Sequence, residues 1–202
     1  MNNRQFLWGL SNGVIVFAIA GGFWLGLGIG TVATQVGWLV CAVSTVLQVG
    51  GCASLLWAAV RLRRKAGFQS SELKDSDGRR TPETRRIFTG LRWTIAGQTA
   101  LIGLAVWACV RAGAEQMIWP AIALVVSLHL IPLARIFHVR VYYATAAAGS
   151  IVALVALWWG TQPQAVASLG AAMAIVMWVS AVYLLSHADR IATRAVGERW
   201  TV

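Results

Sequence analysis

Two long stretches of this chain contain no Asp, Glu, Lys or Arg, one from Gln5 to Val60 and one from Val141 to Ala188. A membrane-spanning helix needs about 20 predominantly apolar residues, so each stretch has room for two passes and a short turn. The middle of the chain supplies two more apolar runs, from about 87 to 111 and from about 117 to 137. The expected fold is an all-α integral membrane protein, a bundle of six transmembrane helices near 6–28, 35–62, 87–111, 117–137, 141–160 and 165–188 within a single domain over 1–202. Composition agrees: 58% of the 202 residues are hydrophobic and 12% charged, with a mean hydropathy of +0.67. A water-soluble core cannot absorb that much apolar surface. The opening MNNRQF runs straight into the first apolar run without a small-residue cleavage site, so the first helix is expected to be retained.

Lys and Arg placement predicts the orientation. The segment 61–86 between the second and third helices holds nine of the 17 basic residues. Arg4 precedes the first helix, Arg135 and Arg140 fall at the fourth-to-fifth connection, and Arg190, Arg194 and Arg199 follow the sixth. The other side carries GIGTVATQVG, RAGAEQM and WGTQPQ, with Arg111 as its basic residue. Both termini and the polar loop 63–85 are therefore expected on the cytoplasmic side, and the net charge of +10 reads as an orientation signal that also attracts anionic headgroups. Nucleic acid is not an expected partner, because the basic loop mixes in four acidic residues and has little aromatic interleaving.

Tryptophans frame the spans. Trp24, Trp38, Trp107, Trp119, Trp158 and Trp159 fall near the predicted outer ends and Trp8 and Trp57 near the inner ones, the pattern of an interfacial aromatic belt. Cys41 and Cys52 are eleven residues apart on one helix, about 16 Å at 1.5 Å per residue, and cannot pair with each other. Cys41 and Cys109 could meet, but small apolar packing residues are the plainer reading. An ungapped offset of 81 residues aligns GWLVCAVSTVLQVGG with IWPAIALVVSLHLIP, matching Trp38 with Trp119 and Gln48 with His129. If real, helices 1–2 and 3–4 are repeated hairpins of the same orientation.

Gly22, Gly26 and Gly30 are spaced four residues apart and give helix 1 a face that lets another backbone approach closely, within the bundle or from a second protomer. Polar groups at membrane depth are the best pointers to function, because an unpartnered one costs several kcal/mol in hydrocarbon. They are Asn12, Gln48, Gln98, His129, Ser150 and Ser180, and helical rise puts most of them roughly 10 to 18 Å from the cytoplasmic ends. A bundle could gather several into one pocket. His129 offers one donor and one acceptor when neutral, and Pro132 beside it removes an N–H and crowds the Leu128 carbonyl, so a kink with a freed acceptor is expected there. The plain alternative is that His129 bonds Gln48 or Gln98 and fixes packing.

No catalytic constellation is evident. The predicted spans hold no carboxylate, and HExxH, GxSxG and cysteine–histidine clusters are absent from the sequence. His129 and His138 are nine residues apart, too far along one helix to share a metal. No metal or other cofactor is expected. Arg135, His138, Arg140, Tyr142 and Tyr143 fill the corner between helices 4 and 5, either as an interface of snorkelling cations and headgroup-level tyrosines or as a pocket for an anionic headgroup or small anion.

The segment LHLIPLARIFHVRVYY, with Leu128, His129, Pro132, Leu133, Ala134, Phe137, Tyr142 and Tyr143 at the matching positions, resembles a pattern in small bacterial multi-pass membrane proteins that carry no assigned activity. The resemblance covers less than a tenth of the chain. It implies a bacterial inner-membrane location and adds weight to His129, and it implies no reaction. The leading functional expectation is a protein that handles a small molecule, lipid or ion at a polar site around His129. The alternative is a structural or accessory subunit whose glycine face or basic loop meets a partner or a second copy. A membrane enzyme ranks third.

Overall fold

The computed structural model describes residues 3–33, 37–66, 82–159 and 163–197. These residues form six α-helices: α1 (Asn3–Val32), α2 (Trp38–Ala66), α3 (Pro82–Arg111), α4 (Ile118–Phe137), α5 (Val141–Trp159) and α6 (Pro163–Gly197). All six are long and apolar enough to cross a membrane, and a 3₁₀ turn, Glu115–Met117, leads into α4. The protein is an all-α chain with the build of a multi-pass membrane protein.

Several helices are longer than the apolar runs that announce them. α2 carries on through Arg61, Arg63 and Arg64, and α3 starts at Pro82, ahead of Arg85 and Arg86. A 30-residue helix is about 45 Å long, well beyond a hydrocarbon core of about 30 Å, so the charged ends stay helical outside it. Proline opens both α3 and α6, where its missing N–H costs nothing. Of the loop expected at 63–85, both ends are helical, and 67–81 lies outside the described residues.

The core is the α1–α6 pair. Leu10, Phe17 and Trp24 of α1 and Leu169, Met173, Met177 and Leu184 of α6 are almost completely buried. The backbones meet at Gly28 and Gly170: a Cβ on Gly170 would stand 2.5 Å from the Trp24 carbonyl oxygen and 2.7 Å from the Gly28 Cα. Only glycine fits there. α2 packs on α1 and touches α6, α5 packs on α6, and α4 packs on α5. Ala153 and Ala181 are fully enclosed and Ser127 of α4 sits against Gly149 of α5, the small-residue seams expected where lipid supplies no hydrophobic drive between helices. α3 packs mainly on α4, and its other faces are exposed, including Trp93, Leu101, Leu104 and Trp107.

Trp24 departs from the belt expected of it. It is 1% exposed, in the α1–α6 core, whereas Trp38, Trp57, Trp107, Trp158 and Trp159 are all more than half exposed. Indole volume, and not its interfacial affinity, places Trp24. The three cysteines are free thiols.

Candidate functional site

The polar residues at membrane depth do not gather into one pocket. Gln48 and Asn12 are used between α1 and α2, and Ser180 between α5 and α6. In the α1–α2 hairpin, Gln48 Nε2 donates to the Gly22 carbonyl at 2.8 Å and the Cys52 thiol donates to the Ala18 carbonyl at 3.1 Å. A Cβ on Gly22 would lie 2.5 Å from the Cys52 sulfur, and one on Gly26 would lie 2.9 Å from Gln48 Nε2. Gly22 and Gly26 therefore make room for α2 side chains reaching the α1 backbone. A Cβ on Gly30, the third member of the stripe, would meet nothing within 4 Å among the described residues of other helices.

Ser180 belongs to the α5–α6 seam. Its hydroxyl lies 2.6 Å from Thr145 Oγ1, and each oxygen also lies near the carbonyl four residues earlier on its own helix, Val176 at 2.7 Å and Val141 at 2.9 Å. One hydroxyl donates across the seam and the other back to its helix, so both are satisfied. The Ser150 hydroxyl is buried without a partner among the described residues.

His129 is half-buried on α4, on the side facing α3, with the Thr94 backbone nearby. Neither Gln48 nor Gln98 is its partner. Gln98 is half-buried on α3. α4 runs unbroken through Pro132 from Ile118 to Phe137, with the proline on its exposed side.

Asn12 has a partner that was not apparent in the sequence. Arg63 folds back from the end of α2 onto α1, where its Nη2 donates to Asn12 Oδ1 and its Nε to Ser11 Oγ at 2.9 Å. Hairpin register holds the signal. Asn12 and Arg63, like Gly22 and Cys52 or Gly26 and Gln48, lie equally far from a midpoint near residue 37, so antiparallel pairing brings them level. Ser11 is fully buried beneath the guanidinium.

At the α4–α5 corner, Arg135, His138, Arg140 and Tyr143 are exposed, and Tyr142 is not. His138 ends α4 in the left-handed region, φ 55° and ψ 34°, and the Val139 N–H bonds to the Ala134 carbonyl at 3.2 Å, the closure of a Schellman turn. That turn swings Tyr142 inward. Its ring meets Phe17 edge-on at 5.5 Å and Phe137 at 6.3 Å, and its hydroxyl lies against Gly13. Tyr142 is thus a core residue and not a headgroup-level tyrosine, because this turn, which sequence periodicity cannot resolve, sets the rotation of α5.

Tyr142 also closes a cavity of about 360 Å³. Its walls come from Gly13 and Val16 of α1, Phe88 and Leu91 of α3, and Leu130 and Leu133 of α4. These are the N-terminal parts of α1 and α3 and the C-terminal part of α4, so the cavity sits at one end of the bundle, the end where Arg63 meets Asn12. The surface is almost wholly apolar. Asn12 and the Tyr142 hydroxyl are its polar groups, and the latter has no hydrogen-bond partner among the described residues. The volume falls in the range of ligand pockets, about 300–1,000 Å³, and a few polar groups in apolar walls are their usual make-up. His129 lies one turn from Leu133 and next to Leu130, both in the cavity wall, and is not itself a lining residue.

Comparison with protein-family models, curated proteins and solved structures finds no match. The site is therefore read from its own chemistry. Such walls suit an acyl chain or another apolar body, and the two polar groups suit a single oxygen or nitrogen function on it. Among the described residues no three His, Cys, Asp or Glu side chains gather.

Proposed function

We propose that this chain is a multi-pass protein of the bacterial inner membrane that binds an amphipathic small molecule or lipid in the cavity between α1, α3 and α4. The carrying observation is the cavity, apolar except for Asn12 and Tyr142, at the end of the bundle where the basic residues concentrate. α1 and α3 both line it without packing closely on each other, and in this reading a bilayer molecule enters laterally between them. In this reading both termini are cytoplasmic, as the Lys and Arg distribution favours. The resemblance of the LHLIPLARIF segment supports the bacterial inner membrane. Arg135, His138, Arg140 and Tyr143 then stand at headgroup level, and His129 is a positioning residue that holds α3 as the outer wall. α1 supplies one wall of the opening and the α3–α4 hairpin the other.

A second reading, a structural or accessory membrane subunit, is favoured by a specific observation. Gln48, Asn12 and Ser180 each make a hydrogen bond to a neighbouring helix. The variant Leu91→Trp separates the two readings, because it fills the cavity from α3, the helix with the fewest buried residues. Native mass spectrometry of the purified protein should show a bound molecule of defined mass that Leu91→Trp loses. A ligand-free wild type, or a variant retaining the same mass, would favour the accessory-subunit reading.

A further inference from the structure

A second site lies on the opposite flank of α1, between α2 and α6 at the same end of the bundle. Two adjoining grooves, of about 350 Å³ and 460 Å³, share Trp57 and Arg61. The first continues along Ala58 and Leu62 of α2 and Val182 and Leu185 of α6, an apolar trough parallel to the helices. The second is headed by Arg64. The Arg61 guanidinium carbon lies 5.3 Å from the centre of the Trp57 ring, close enough for a cation–π contact that fixes the side chain at the level of the indole.

Three features converge here. Arg61 and Arg64 are both exposed, one turn apart, and none of the described residues lining either groove is acidic. Trp57 is 64% exposed beside them, as an indole at the headgroup level is. Below them the trough reaches about one turn, to Ala58 and Val182, the latter 56% exposed on its wall. A pair of guanidinium groups recognises a phosphate by directed N–H donation, and a basic pocket between transmembrane helices suits an anionic headgroup. The charge answers the phosphate and the trough answers the chain.

We propose that this groove binds an anionic phospholipid, with Arg61 and Arg64 on the phosphodiester, Trp57 beside the glycerol and one acyl chain along Ala58, Val182 and Leu185. It is separate from the α1–α3 cavity and does not depend on what occupies that cavity.

The test reconstitutes the full chain in nanodiscs holding equal amounts of phosphatidylglycerol and phosphatidylcholine, then counts by native mass spectrometry the lipids it retains. The wild type should keep phosphatidylglycerol in preference. Arg61→Gln with Arg64→Gln should lower that preference by roughly five-fold per arginine. Arg85→Gln with Arg86→Gln, an equal loss of exposed charge on α3, should leave it unchanged. Val182→Trp, which fills the trough while both arginines stay, should reduce phosphatidylglycerol retention. An indifferent wild type would overturn the proposal, as would equal losses in the two arginine pairs or full retention in Val182→Trp, since each marks diffuse charge and not a groove.

Discussion

Adjacent residues with the same side chain can have opposite fates in a helical membrane protein. Tyr142 is 5% exposed and Tyr143 is 43% exposed, because consecutive helical positions point about 100° apart. His138 decides which of the two faces in. A side chain in the left-handed region costs about 1–2 kcal/mol relative to glycine, and His138 bears that cost at the end of α4. His138→Gly should raise the thermal unfolding midpoint in detergent, and His138→Val, with a branched Cβ, should lower it by an amount equivalent to about 1–2 kcal/mol. If both variants lower it equally, the imidazole and not the backbone holds the corner.

At the scale of elements, the six helices were legible in the sequence and their partners were not. Charge-free length announces a span, since lysine and arginine are costly in hydrocarbon. Pairing leaves a fainter trace, because lipid and a neighbouring helix are equally apolar and a buried valine reads like an exposed one. The glycines of α1 illustrate this. The regular spacing Gly22, Gly26 and Gly30 points to one face, and two of its members do accommodate α2. The closest approach of two helix backbones at a glycine is that of Gly28 and Gly170, off that stripe and 142 residues apart in the chain, where only three-dimensional pairing reveals it. Gly170→Ala should therefore destabilise by about 1–3 kcal/mol. Gly30→Ala, in open space, should be neutral or stabilise by about 0.5–1 kcal/mol. Thermal unfolding of the two variants side by side checks the assignment, and the reverse order would contradict it. The polar residues follow the same logic: Asn12, Gln48 and Ser180 were visible as polar positions, but their partners Arg63, Gly22 and Thr145 come from the fold.

Across the whole molecule, a tightly packed α1–α6 core carries α2 on one flank and α5, α4 and α3 on the other, and the cavity occupies the gap left between α1 and α3. The cluster of arginines at one end predicts how this assembly sits in the membrane. Reporter fusions at positions 75 and 114 should report the cytoplasm and the exterior respectively, and an exported reporter at 75 would reverse the orientation. The cavity itself is tested most directly by placing a photoreactive amino acid at Leu91, inside it, and at Leu104, on the exposed face of the same helix. Irradiation in the native membrane, followed by mass spectrometry, should give one adduct of defined mass at position 91 that is absent at position 104. The same mixture of bulk lipids at both positions would contradict a binding cavity.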